Sequence, residues 1–121
     1  MSTYAFFSQR CLIIGGRGFI GRHLTAALLQ QGAEVTAIGT RAMSQCEERD
    51  CRYIQADITD LSTLSAISST AYHYVFNLSG YIDHSPYFSG GRKLIENHYV
   101  GLLNVLDSID RSKLKGFVQV G

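Results

Sequence analysis

An α/β fold, with a parallel sheet flanked by helices, is what this sequence predicts, on three observations. Short apolar runs of strand type alternate along the chain with segments of helical periodicity. The first run, "CLII" (11–14), is continuously apolar rather than alternating, as befits a strand covered on both faces. A glycine-rich turn then leads straight from that run into a helical pattern. Parallel neighbours require crossover connections, and these are right-handed.

The elements follow in order. "CLIIGG" is the first strand, ending in glycine. From Phe19 the period changes, with Ile20, Leu24, Ala27 and Leu28 at helical spacing and Gly32 as the stop. "AEVTAIG" (33–39) is a second strand, and a third lies near Arg52 to Gln55. Asp60 or Thr59 can cap a helix running to about Ser68. "YHYVFNLSG" holds a fourth strand centred on Tyr74 to Asn77. A long helix at about 91–109 places Ile95, Tyr99, Leu102, Leu106 and Ile109 on one stripe, widened by Leu94, Val100, Leu103 and Val105. A helix this apolar is usually covered on more than one side. "GFVQV" (116–120) is a fifth strand, and the single proline, Pro86, falls in a loop.

The 121 residues suffice for one domain. At that size roughly two-thirds of the unfolded chain's surface can be buried. Hydrophobic residues make up 45% and charged residues 17%, and the net charge is +1, which argues against nucleic-acid or membrane-surface binding. No apolar run approaches a membrane span. The apolar patch Tyr4 to Phe7 has no basic residue before it and does not read as a signal peptide. Three cysteines make no disulfide framework: Cys11 reads as core, and Cys46 and Cys51 lie near a charged loop without a partner at zinc-like spacing. No metal site is expected, and a reducing cytoplasm fits best.

Strand, glycine turn and helix stand in the order that a dinucleotide site requires. Gly15 allows a sharp exit from the strand, Gly18 leaves room for a pyrophosphate, and Gly21 allows the helix to approach the sheet. The helix N-terminus offers free N–H groups and partial positive charge to phosphates, and Arg17 adds a formal charge.

These glycines are spaced 15, 18 and 21, with Gly16 completing a Gly-x-Gly-x-x-Gly pattern. "GGRGFIGRHL" resembles the opening signature of the extended short-chain dehydrogenase/reductase family, the NAD(P)-dependent sugar-nucleotide epimerases and dehydratases. "ADITD" resembles the family's segment after the third strand, which implies that Asp57 bonds the adenine amine and Ile58 packs on the ring. "NLSG" (Asn77, Leu78, Ser79, Gly80) resembles its turn under the nicotinamide ribose. Asn97, Gly101 and Asn104 match its helix signature. The resemblance runs from about Cys11 to Gly121 and implies a Rossmann-like sheet of order 3-2-1-4-5, ending after the fifth strand. It adds Gly16, Phe19, Ile20 and Asn97 to the residues expected around the cofactor. It further implies a nucleotide-sugar substrate in a full-length parent, and a homo-oligomer packed through the long helix.

Cofactor choice is read at the end of the second strand, where NAD sites often carry an acid for the ribose hydroxyls. Here stand Gly39, Thr40 and Arg41. An Arg fork grips a 2′-phosphate well, so NADP is favoured, with NAD the other possibility. The family's reaction is hydride transfer, with a Tyr-x-x-x-Lys pair handling the substrate proton. No tyrosine of this sequence has a lysine four residues on. The chain stops at "VQVG", before the family's catalytic Ser/Thr, so no catalytic residue is assigned. His23, His73, His84 and His98 read as loop, surface or packing residues. The expectation is the dinucleotide-binding domain, residues 1–121, of a longer epimerase, dehydratase or reductase, inactive alone. The alternative is a non-catalytic dinucleotide-binding module that senses redox state or mediates assembly.

Overall fold

The computed structural model describes residues 6–15, 19–40, 51–78 and 91–119, and between 91 and 98 only the side chain of Arg92. In chain order the elements are β1 (Arg10–Ile14), α1 (Phe19–Gln30), β2 (Glu34–Gly39), β3 (Cys51–Gln55), a 3-10 helix (Leu61–Ile67), β4 (Tyr74–Asn77), α2 (Gly91–Ser108) and β5 (Gly116–Gln119). The five strands form one parallel sheet of order β3-β2-β1-β4-β5, as expected. The central strand β1 pairs on both sides: Ile14 stands opposite Ile38 of β2 and opposite Asn77 of β4. Boundaries shift by a residue or two from the sequence reading, and Cys51 opens β3.

Alternate residues of β1 feed two cores. Leu12 and Ile14 join Ile38, Val75, Leu64 and Ile67, beneath Val105 of α2 and Ile109 just past its end. On the other face Cys11 and Ile13 join Val35 beneath Leu28 of α1. Cys11, Leu12 and Ile13 are wholly buried, which accounts for the unbroken apolar run. Full burial of each such Leu or Ile stabilises by about 1.5–3 kcal/mol. Burial pushes the Cys11 thiol up to about 11, so it remains an uncharged core group.

Both helices turn a slightly different face inward from the one expected. α1 buries Gly21, Thr25 and Leu28, while Ile20 and Ala27 face outward. The Thr25 hydroxyl donates to the Gly21 carbonyl at 2.7 Å, which satisfies a polar group inside the interface. α2 buries Gly101 and Val105, with Ile109 buried just past its end, whereas Tyr99 is 62% and Leu103 57% exposed. A count of large apolar residues skips Thr25 of α1 and Gly101 of α2, while Gly21 stands on the sheet side of α1 as the glycine spacing leads one to expect. The segment before β4 folds as a 3-10 helix capped by Asp60, whose Oδ1 accepts from Ser62 N at 3.1 Å. Local hydroxyl-to-backbone bonds, such as Ser68 Oγ to Ser65 O at 2.7 Å, favour this tighter form over an α-helix.

The N-terminal edge of the sheet is fastened by His73. Its Nδ1 accepts from Arg10 N at 2.9 Å and its carbonyl accepts from Lys115 N at 2.7 Å.

Candidate functional site

The chain reverses its winding at β1. β2 and β3 lie on one side and β4 and β5 on the other, and at such a reversal point the ligand crevice of an open α/β sheet is expected beyond the C-terminal ends of β1 and β4. The first predicted site residue stands there. Gly15 leaves β1 with φ of 80°, in the left-handed region, while its N–H donates to the Ile38 carbonyl at 2.9 Å. A side chain is strained in that conformation, so the turn needs glycine. Gly16, Arg17 and Gly18 lie outside the described residues. α1 begins at Phe19, within four residues of the turn, and its first-turn N–H groups have no partner within the helix. Phe19 and Ile20 are exposed, and the Phe19 ring meets the His23 ring edge-on with centroids 4.5 Å apart. Gly21 is buried on the face toward the sheet.

After β3, Asp57 and Ile58 occupy a tight, heavily bonded loop. Asp57 Oδ1 accepts from Thr59 N at 2.9 Å and from Thr59 Oγ1 at 2.7 Å. The Asp57 backbone N–H donates to Thr63 Oγ1 at 2.9 Å. The carboxylate is exposed, and no described residue bonds its other oxygen, which leaves an acceptor available at this edge. Ile58 is pinned from behind by α2: Asn104 Nδ2 donates to the Ile58 carbonyl at 2.8 Å. A β-carbon at position 101 would stand 2.6 Å from Ile58 Cδ1 and 2.8 Å from its Cγ1. Gly101 and Asn104, two of the three helix-signature positions, therefore act together on the loop that carries Asp57. The side chain of the third, Asn97, is outside the described residues.

On the other side of the crevice, Asn77 closes β4. It is 1% exposed, and its Nδ2 donates to Gln119 Oε1 of β5 at 2.8 Å. Leu78 is half-buried against the α1-side core, and its N–H donates to Ile14 O at 2.8 Å. Ser79, Gly80 and Arg41 lie outside the described residues. Thr40 is exposed just past β2, its carbonyl accepting from Gln55 Nε2 at 3.2 Å. Thus Gly15, Phe19, Thr40, Asp57 and Asn77 all gather at the C-terminal end of the sheet.

Sequence reading passed over four residues that shape this edge: Tyr53, Gln55, Thr63 and Gln119. A signal for two of them existed in the strand alternation. Tyr53 and Gln55 fall on the same face of β3 as Ala37 and Gly39 of β2, once the register is known.

The model of the NAD dependent epimerase/dehydratase family matches residues 11–121. The chain belongs to that family. Among curated relatives of this chain, a UDP-N-acetyl-alpha-D-glucosaminuronate decarboxylase of Bacillus cytotoxicus is 29% identical over 112 residues, covering 88% of this chain and 35% of the relative. An epimerase of Methanothermobacter thermautotrophicus superposes with a TM-score of 0.82 at 24% identity, covering 96% of this chain and 36% of that one. The Bordetella bronchiseptica enzyme WbmF, solved in complex with NAD+ and UDP, superposes with a TM-score of 0.71 at 22% identity, over 97% of this chain and 36% of that one. The chain spans about a third of the length of these relatives. Among the described residues no helix is long and apolar enough to cross a membrane, and no cluster of three or more His, Cys, Asp and Glu residues is suited to a metal ion.

Proposed function

We propose that this chain binds a nicotinamide dinucleotide, NADP in preference to NAD, as the cofactor-binding portion of an enzyme acting on a nucleotide sugar. The observation that carries the reading is the Gly15 turn at the reversal point of the sheet, with φ of 80° and the start of α1 close behind it. That arrangement fits a pyrophosphate, because it offers backbone donors and partial positive charge. Asp57 and Ile58 would hold the adenine, with the available carboxylate oxygen taking the exocyclic amine. Gly39 and Thr40 leave the strand end without an acid, and Arg41 would pair with the 2′-phosphate. Asn77 and Leu78 would flank the nicotinamide ribose. Support also comes from the family match and from WbmF, whose structure holds NAD+ and UDP.

When bound, the nicotinamide supplies a hydride acceptor or donor. This chain's described residues bind and orient; they include no proton-handling Tyr-x-x-x-Lys pair, which the sequence lacks. The outward apolar patch of α2, Tyr99, Val100 and Leu103, fits packing against a second copy of the chain. Light scattering of the purified chain is expected to return a dimer or larger species.

Calorimetric titration with NADP+ and NAD+ tests the binding reading. Gly18→Val should abolish binding of both while leaving the circular dichroism unchanged. Arg41→Ala should weaken NADP+ by about 1.5–3 kcal/mol, the worth of a hydrogen bond to a charged group, and leave NAD+ nearly unaltered. Equal affinity in wild type and Gly18→Val would refute the site.

A further inference from the structure

The end of β2 is not simply vacant. Tyr53 stands opposite Ala37 in the β2–β3 ladder, and Gly39 follows two residues later on the same face. The phenol reaches along that face to Gly39. A β-carbon there would stand 2.6 Å from Tyr53 Oη and 3.3 and 3.4 Å from the ring carbons Cε2 and Cζ. The backbone cannot easily retreat, because the Gly39 carbonyl accepts from Ala56 N at 2.9 Å and the next carbonyl, of Thr40, is held by Gln55. Any side chain at position 39, and above all a carboxylate, would have to displace the phenol.

We propose that Tyr53 is a specificity-determining residue of the dinucleotide site. Its phenol fills the space beside the adenosine ribose that a strand-end acid would take, and its hydroxyl donates to the 2′-phosphate monoester of NADP. A phenol has a single O–H to donate, and its hydroxyl rotor turns that O–H to the phosphate when the dinucleotide binds. Where an acid would repel the phosphate, a neutral donor attracts it. This assignment rests on the dinucleotide site proposed above and deepens it.

Titration calorimetry of the 121-residue chain with NADP+ and with NAD+ separates the possibilities. Tyr53→Phe keeps the ring and removes only the hydroxyl. It should weaken NADP+ about tenfold, the size of one charge-assisted bond, and leave NAD+ within about twofold. Gly39→Asp should lose NADP+ without gaining NAD+ while Tyr53 is present. Adding Tyr53→Ala to it should raise NAD+ affinity about tenfold over Gly39→Asp alone. An unchanged NADP+ to NAD+ ratio in Tyr53→Phe would overturn the proposal, as would a gain of NAD+ affinity by Gly39→Asp with Tyr53 in place. Should the Gly39→Asp variants fail to fold, Tyr53→Phe decides alone. Wild-type chain that binds neither dinucleotide would overturn the site itself and this assignment with it. Wild-type binding with an unaltered ratio in Tyr53→Phe overturns only the role of Tyr53.

Discussion

Gly101→Ala sets two opposing effects against each other where α2 meets Ile58. Within a helix, replacing Gly by Ala is favourable by about 1 kcal/mol through backbone entropy. Here the new methyl would stand 2.6 Å from Ile58 Cδ1 and 2.8 Å from Cγ1, so the Ile side chain must swing away. It cannot take its own backbone along freely, because Asn104 holds the Ile58 carbonyl. Overpacking of this kind costs about 1–3 kcal/mol. The net expectation is destabilisation by about 1 kcal/mol. In an Ile58→Ala background both offending carbons are gone, and only the helix term remains. The same Gly101→Ala change should then stabilise by about 1 kcal/mol, a reversal of sign and a coupling of about 2 kcal/mol. Urea denaturation followed by circular dichroism, with equal slopes required for comparison, measures all four proteins. Equal effects of Gly101→Ala in the two backgrounds would refute the contact as the reason for glycine.

Two further outcomes concern titration and reactivity. Desolvation, then the charges of Arg10, Lys115 and Lys113, hold His73 below its ordinary value of 6.5, with Glu34 opposing. The unfolded chain therefore takes up the proton first, and stability is lost as pH falls below about 6.5, levelling off beneath the folded-state value. His73→Gln should remove that component of the urea-midpoint profile, and identical profiles would refute it. The buried Cys11 thiol, pushed up to about 11, should resist an aromatic disulfide reagent until the chain unfolds, while half-buried Cys51 reacts earlier. Peptide mapping that finds Cys11 modified under native conditions would contradict its burial.

The sheet was legible because its signals are local. A continuous apolar run marks β1, and glycine marks its exit. Facing directions of the helices were less legible: Thr25 and Gly101 are buried at positions that a hydrophobic count skips. Of the residues expected at the site, Gly15 follows β1, Asp57 follows β3 and Asn77 ends β4, all at the same end of the sheet. The contacts that hold them do not show in the sequence, because they span large separations. Asn77 meets Gln119 and Asn104 meets Ile58 only through the folded topology. Tyr53 over Gly39 needs a ladder register that no single segment encodes.

The central place of β1 also ranks the sheet by local opening. Its amides and carbonyls are committed to neighbours on both sides, and its side chains are covered on both faces. Among the described strands β3 and β5 have a ladder on one side only, and their burial is partial. Amide exchange should therefore be slowest at Leu12 and Ile13 and fastest along the flanks, since edge strands can detach without unfolding the rest. The glycine turn grows out of the strand expected to open least, while the Asp57 loop follows one of the two edge strands. A ligand bridging the two would fasten β3 to the centre, so that its binding would register as slowed exchange at Arg52 to Gln55, far from the phosphates themselves.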